Sequence, residues 1–257
     1  MITIDQINIL KKKYQINETT IYREYIQILF LSIFYSTNLS SGIYFKGGTA
    51  IHLIFKAPRF SEDLDFTVDI PQAQFTSVLH DAILKLQRQE EIFIKEKKTP
   101  AGKRFLLTVK PLNLSYPIFI NLDFSFREKV LSPQKSIVET DYPVLFTSYV
   151  FHLSAEELFA EKIRALLTRK KGRDLYDLWY LSTRNVGYDS QLVRKKLDYY
   201  HLTVTNAQEI KKRVNQFLEK DFIMDMRPFV PLSEREKLTE FFTYIKTFLN
   251  QQFTKKT

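Results

Sequence analysis

Two glycines, a threonine and two aspartates stand close together in YFKGGTAIHLIFKAPRFSEDLDF, residues 44–66. Gly47 and Gly48 follow a short apolar run ending at Lys46 and precede a helical pattern that opens at Thr49. Glycines at such a junction let the backbone bend sharply and bring its N–H groups near a ligand, and the start of a helix adds partial positive charge suited to phosphate. Thr49 can cap that helix or donate to the phosphate. Asp63 and Asp65, two apart at the next strand, project to one face while Leu64 and Phe66 take the other. Adjacent carboxylates repel each other unless a cation or donor lies among them, and hard oxygen ligands suit Mg2+. A Gly-Gly pair alone is most often a turn, and Asp-x-Asp alone is most often a solvated strand end. The order strand, Gly-Gly-Thr, helix, Asp-x-Asp is what points to a phosphate and a metal together.

Further polar residues interrupt apolar patterns downstream. In the strand expected over 118–126, Ile118, Ile120, Leu122, Phe124 and Phe126 share one face, leaving Asp123 on the other with Phe119, Asn121 and Ser125. Asp123 is either a surface carboxylate or a third acidic ligand beside Asp63 and Asp65, and the pair's need for a partner favours the ligand. In SAEELFAEKIRALLTRKKGRDLYDLWYL, Lys162 interrupts the stripe of Leu158 and Leu166, and Asp174 and Asp177 share one with Leu178 and Leu181. Lys162 can snorkel out, or join Asp174, Asp177, Arg169 and Arg173 in an ion-pair network between two helices, or neutralise phosphate charge while an aspartate orients it. Arg184, Arg194, Lys195 and Lys196, with Tyr199, Tyr200 and His201, read as a basic surface with rings for stacking. His52 reads as a helix-face residue, and His152 has no partner at metal-ligand spacing.

The elements that must position these residues follow from periodicity. Helices are expected over 3–13 and 17–35, the second capped by Asn17. A strand over 43–45, a helix over 49–56, a strand over 64–68 and a helix over 71–88 make an α/β core. EIFIKEK and KRFLLTVK form a hairpin about residues 98–102. Residues 128–149 read as a connecting segment. Helices over 155–169, 173–182, 189–200, 206–219 and 233–251 follow, the first opened by a Ser154–Glu157 capping box. The fold class is therefore mixed α+β and α/β. Residues 1–150 form a sheet domain with N-terminal helices, and 151–257 form a helical domain.

The 257 residues are 44% hydrophobic, enough for a large core, and contain no cysteine, which excludes disulfides, thiolate zinc sites and a cysteine nucleophile. No serine shows a nucleophile elbow, so a hydrolase triad has no support. The opening MITIDQINILKKKYQ lacks the order of a signal peptide, and the longest apolar region is too short to span a bilayer. A cytoplasmic location without membrane is expected. A formal charge of +9 favours a polyanionic partner such as RNA.

The order of the glycine and Asp-x-Asp motifs matches the layout of the polymerase-β-like nucleotidyltransferases. With the later helical motif, KGGTAIHLIF, RFSEDLDF and EELFAEKIRALLTRKKGRDLYDLWYL together resemble the AbiEii/MenT-type nucleotidyltransferase toxins of that superfamily. The resemblance spans roughly residues 43–182. It implies a bilobed protein whose sheet domain and helical domain complete one nucleotide cleft. It also implies Gly47, Gly48 and Thr49 as phosphate loop, Asp63 and Asp65 as metal ligands, Lys162 as nucleotide contact and Asp174 or Asp177 as the last acidic residue. The expected activity is transfer of NMP from an NTP, with one or two Mg2+ ions held by Asp63, Asp65 and Asp123. Lys46, Arg59 and Lys162 would offset the developing charge. The expected acceptor is RNA, at the tRNA 3′ end, and the expected partner is a cognate antitoxin. A protein or small-molecule acceptor, and a nucleotide-binding module without turnover, are the alternatives.

Overall fold

The computed structural model describes residues 1–99, 101–111, 114–202 and 207–254, and the chain divides into two compact units. The first comprises Met1–Lys56 and Phe60–Leu153. The second comprises Ala57–Arg59 and Ser154–Thr257.

The first unit begins with α1 (Ile4–Tyr14), whose Thr3 cap and Gln6 satisfy each other's backbone N–H groups in a capping box. Asn17 then accepts the Thr20 N–H at 2.8 Å and starts α2 (Glu18–Tyr35). Apolar residues surround α2 almost completely, as expected of a helix buried on most sides. Its Phe30 and Phe34 pack on Phe66, and Phe34 also meets Phe124.

Phe66 and Phe124 belong to a seven-stranded mixed sheet. Its strands are β1 (Ile43–Lys46), β2 (Leu64–Val68), β3 (Ile92–Lys97), β4 (Lys103–Val109), β5 (Ile118–Ser125), β6 (Pro133–Ser136) and β7 (Val150–Leu153), in the spatial order β3-β4-β5-β2-β1-β7-β6. β2 runs parallel to β5 and β1 to β7, while the other pairs are antiparallel. Helices α3 (Gly47–Leu53) and α4 (Gln72–Gln87) complete the unit. Phe66 and Phe124 face each other across β2 and β5 with ring centroids 4.8 Å apart, so burial of this face, at about 1.5–3 kcal/mol per side chain, fixes the register. A slip of one residue would turn Asp65 and Asp123 into the core.

Two strands were missed. β6 lies inside the 128–149 segment and β7 directly follows it, and prolines and short length hide the period of two there. The hairpin's Pro100 and the expected helix start at Asn206 lie outside the described residues.

The second unit is helical: α5 (Ala155–Thr168), α6 (Gly172–Thr183), α7 (Ser190–Asp198), α8 (Ala207–Asn215), α9 (Glu219–Met226) and α10 (Leu238–Thr254). Ser154 caps α5 by accepting the Glu157 N–H, whereas the Glu157 carboxylate accepts from Lys196 at 2.7 Å. Lys196 is fully buried and also meets Glu161 at 3.1 Å, so it is no part of a basic surface. Tyr200 likewise carries the Arg164 guanidinium over its ring, 4.1 Å from the centroid. Helix α9 begins where the expected helix over 206–219 ends and fills part of the stretch to 233 that was given no element. Gly172 lets α6 approach it: a Cβ there would lie 2.8 Å from Phe222 Cα. Among the described residues, no helix is long and apolar enough to cross a membrane.

Candidate active site

The strand pairings of the first unit line up four charged residues. Lys46 on β1 is the cross-strand partner of Asp65 on β2, Asp65 of Asp123 on β5, and Asp123 of Arg104 on β4. Directly opposed residues point to the same face, so a cation, two carboxylates and a second cation form one row across the sheet. The opposite face at these strands carries Phe45, Phe66 and Phe124, all buried.

The glycine turn abuts this row. Gly47 has φ +78°, a conformation that favours glycine, and a Cβ at this position would fall 2.3 Å from Asp65 Oδ2. The absent side chain is therefore what gives the Asp65 carboxylate its place against the loop. α3 starts at Gly47, two residues earlier than expected, which puts Thr49 inside the helix and makes Lys46 its N-cap. Thr49 is buried, and its hydroxyl donates to the Asp63 carbonyl. It ties the glycine turn to the Asp-x-Asp strand and is not a cap.

The acidic residues are not equivalent. Asp63 Oδ1 accepts from Asn121 Nδ2 at 2.9 Å, so it is steered towards β5. Asp123 Oδ1 accepts from Arg104 Nε at 2.5 Å. The hydrogen bond to Asp123, against partial burial, raises the Arg104 pKa further, with Asp63 and Asp65 adding to the effect. Lys46 is buried and lies 3.9 Å from the buried Glu128 carboxylate. Of the expected ligand set of Asp63, Asp65 and Asp123, Asp63 is thus hydrogen-bonded to Asn121 and Asp123 to Arg104. Among the described residues no three acidic, histidine or cysteine side chains come together as a metal-holding group. Sequence reasoning missed Arg104 and Glu128. Arg104 could be found only by pairing KRFLLTV with IFINLDFS in the right antiparallel register.

In the second unit Arg59, Lys162, Asp174 and Asp177 form one buried network, with the exposed Arg169 at its edge. Arg59 donates to Asp177 through Nε at 2.6 Å and a terminal nitrogen at 2.5 Å. Lys162 Nζ lies 2.7 Å from Asp177 and 2.9 Å from Asp174, and Arg169 donates to both oxygens of Asp174 at 2.7 and 3.0 Å. Arg59, Lys162, Asp174 and Asp177 are all buried. Burial alone would lower the Lys162 pKa, but the two aspartates raise it. Burial would raise the Asp174 pKa, but Lys162 and Arg169 hold it well below the usual carboxylate range. Lys162 is held between two carboxylates joining α5 to α6, the ion-pair arrangement that the sequence left open. Arg173 lies over the Phe229 ring.

His52 Nε2 pairs with Glu24 at 2.8 Å, and burial lowers the pKa of His152, which contacts Ser136 and the Leu153 carbonyl.

Comparison with solved structures gives the fold independently. JHP933 from Helicobacter pylori is similar with a TM-score of 0.61 at 18% identity, covering 93% of this chain and 95% of that one. MenT4, a nucleotidyltransferase toxin from Mycobacterium tuberculosis H37Rv, is similar with a TM-score of 0.60 at 20% identity, covering 90% and 84%. At such identities the likeness establishes the fold alone. No curated protein matches the sequence. The sequence model of one family, described as nucleotidyl transferase AbiEii toxin of a type IV toxin–antitoxin system, matches residues 30–247. The chain therefore belongs to the AbiEii nucleotidyltransferase toxin family, and it is a nucleotidyltransferase.

Proposed function

We propose that this enzyme moves NMP from a Mg2+-bound NTP to a hydroxyl of RNA, at the tRNA 3′ end. The observation that carries the proposal is the contact of Asp65 with the side-chain-free face of Gly47. A phosphate brought to the Gly47–Gly48 backbone would be repelled by that carboxylate unless a cation lay between them. Mg2+ is commonly held by one or two carboxylates plus substrate phosphates and water, so Asp65 and Asp63 suffice as protein ligands without a third. Bound there, the ion would supply charge neutralisation at the α-phosphate.

The chain's own groups do the rest. Gly47 and Gly48 orient the phosphates through their N–H groups, and Thr49 and Asn121 hold the backbone and side chain of Asp63. The acceptor hydroxyl oxygen forms the new bond to the α-phosphorus, its proton passes to solvent water, and the bond from the α-phosphorus to the bridging oxygen breaks with release of pyrophosphate. The net charge of +9 favours a polyanionic acceptor over a small cation. Action as a toxin in the cytoplasm, opposed by a cognate antitoxin, completes the proposal.

The test incubates the protein with each radiolabelled NTP, Mg2+ and total RNA. Label on the tRNA band is expected, and Asp65→Asn should abolish it while leaving the circular dichroism spectrum unchanged. Label on a protein band would replace the RNA acceptor by a protein. No label for any NTP on any acceptor, from a folded sample, would refute the proposal.

A further inference from the structure

Asp123 was the expected third ligand, and its geometry assigns it to a different partner. Its carboxylate and the Arg104 guanidinium are direct cross-strand neighbours 2.5 Å apart, with side chains 27% and 46% exposed. Arg104 also lies in the field of Asp63 and Asp65, at the end of the row opposite Lys46. A partly exposed ion pair is worth under about 1 kcal/mol, which makes it a poor brace for the sheet but an exchangeable one. The sheet has other means of holding β4 to β5: the two strands pair along seven residues, from Lys103 with Phe124 to Val109 with Ile118.

We infer that Arg104 is a positioning residue that withholds Asp123 from the divalent cation, leaving a two-carboxylate site and setting that site's cation affinity. The inference rests on the assignment of Asp65 as a metal ligand. When Arg104 holds Asp123, the ion meets Asp65 and Asp63 only. When the guanidinium turns away, Asp123 stands opposite Asp65 on the parallel neighbour strand and adds a third anionic oxygen donor. The weak resident affinity this implies suits an ion that arrives with the triphosphate.

The test titrates Mn2+ alone, followed by electron paramagnetic resonance of the free ion, into the wild type, Asp65→Asn, Asp123→Asn, Arg104→Gln, Arg104→Lys and the double variant Arg104→Gln/Asp123→Asn. Circular dichroism checks the fold of each. Arg104→Gln should bind Mn2+ about tenfold more tightly than wild type, the scale on which groups behind metal ligands act. The double variant should lose that gain, Arg104→Lys should keep wild-type affinity because it keeps the charge, and Asp123→Asn alone should change little. Arg104→Gln binding no more tightly than wild type, or Asp123→Asn alone weakening binding about tenfold, would overturn the inference. Unchanged binding by Asp65→Asn would overturn the assignment of Asp65 instead, while the coupling between Arg104 and Asp123 would still decide the role of Arg104. A merely structural pair would alter melting temperature and leave Mn2+ binding unmoved.

Discussion

Replacing Gly47 with alanine separates activity from stability. The new Cβ would lie 2.3 Å from Asp65 Oδ2 and 3.0 Å from its Cγ, whereas ordinary contact begins near 3.4 Å, so the carboxylate must move by about 1 Å. The φ of +78° adds strain for an L-residue, about 1–2 kcal/mol. A domain stable by about 5–15 kcal/mol remains almost wholly folded after that loss. A misplacement of about 1 Å at reacting groups, by contrast, can cost about 100-fold in rate. Transfer of radiolabel from NTP to RNA should therefore fall about 100-fold in Gly47→Ala, while the urea midpoint falls only by the equivalent of about 1–2 kcal/mol. Transfer within about threefold of wild type would refute the reasoning, because it would mean that Asp65 need not sit against the loop.

Two further outcomes concern the helical unit. Asp177→Ala leaves the buried Arg59 without its bidentate partner and Lys162 with one carboxylate, and should destabilise that unit by about 3–5 kcal/mol in urea unfolding. Asp174 has its pKa lowered on folding, chiefly by Lys162 and Arg169 against the effect of burial, so its stabilisation is present above the ordinary carboxylate pKa and is lost as pH falls below it. The urea midpoint should accordingly decline on acidification below about pH 4, and Asp174→Asn, itself less stable at neutral pH, should show a shallower decline.

Much of the fold was legible because two periods are plain in the chain. The alternation from Ile118 to Ser125 gave a strand with Asp123 on its polar face, and Asn17 and Ser154 marked helix starts that the structure keeps. The errors fall where the deciding partner is distant in sequence. Lys195 and Lys196 look alike on paper, yet Lys196 is buried because Glu157 and Glu161, more than thirty residues earlier, face it. Asp63 and Asp65 look like a matched pair, yet Asn121 takes one and Gly47 adjoins the other. No local pattern encodes Arg104 opposite Asp123, since that contact exists only once the register of β4 on β5 is set by Phe105, Leu107 and Val109 against Leu122, Ile120 and Ile118.

The same type of signal, a charge inside an apolar pattern, therefore has two meanings in this chain. In the helical unit, Asp174, Asp177, Lys162 and Arg59 satisfy each other at 2.5–2.9 Å and are buried, so every charge is spent on a neighbour and the group's first task is to hold α5, α6 and the Ala57–Arg59 stretch together. On the sheet, Asp63, Asp65 and Asp123 remain partly exposed, and the cations of their row lie at its two ends. Buried opposite charges in mutual contact resist a ligand, because each would have to give up a partner in a low-dielectric setting. Half-exposed carboxylates grouped beside a bare glycine backbone gain by accepting a cation that brings phosphate with it. This difference in electrostatic completeness supports the proposed placing of the chemistry at the turn and the strands, and under that proposal variants at Asp65 and Gly47 should act on turnover while a variant at Asp177 acts first on folding.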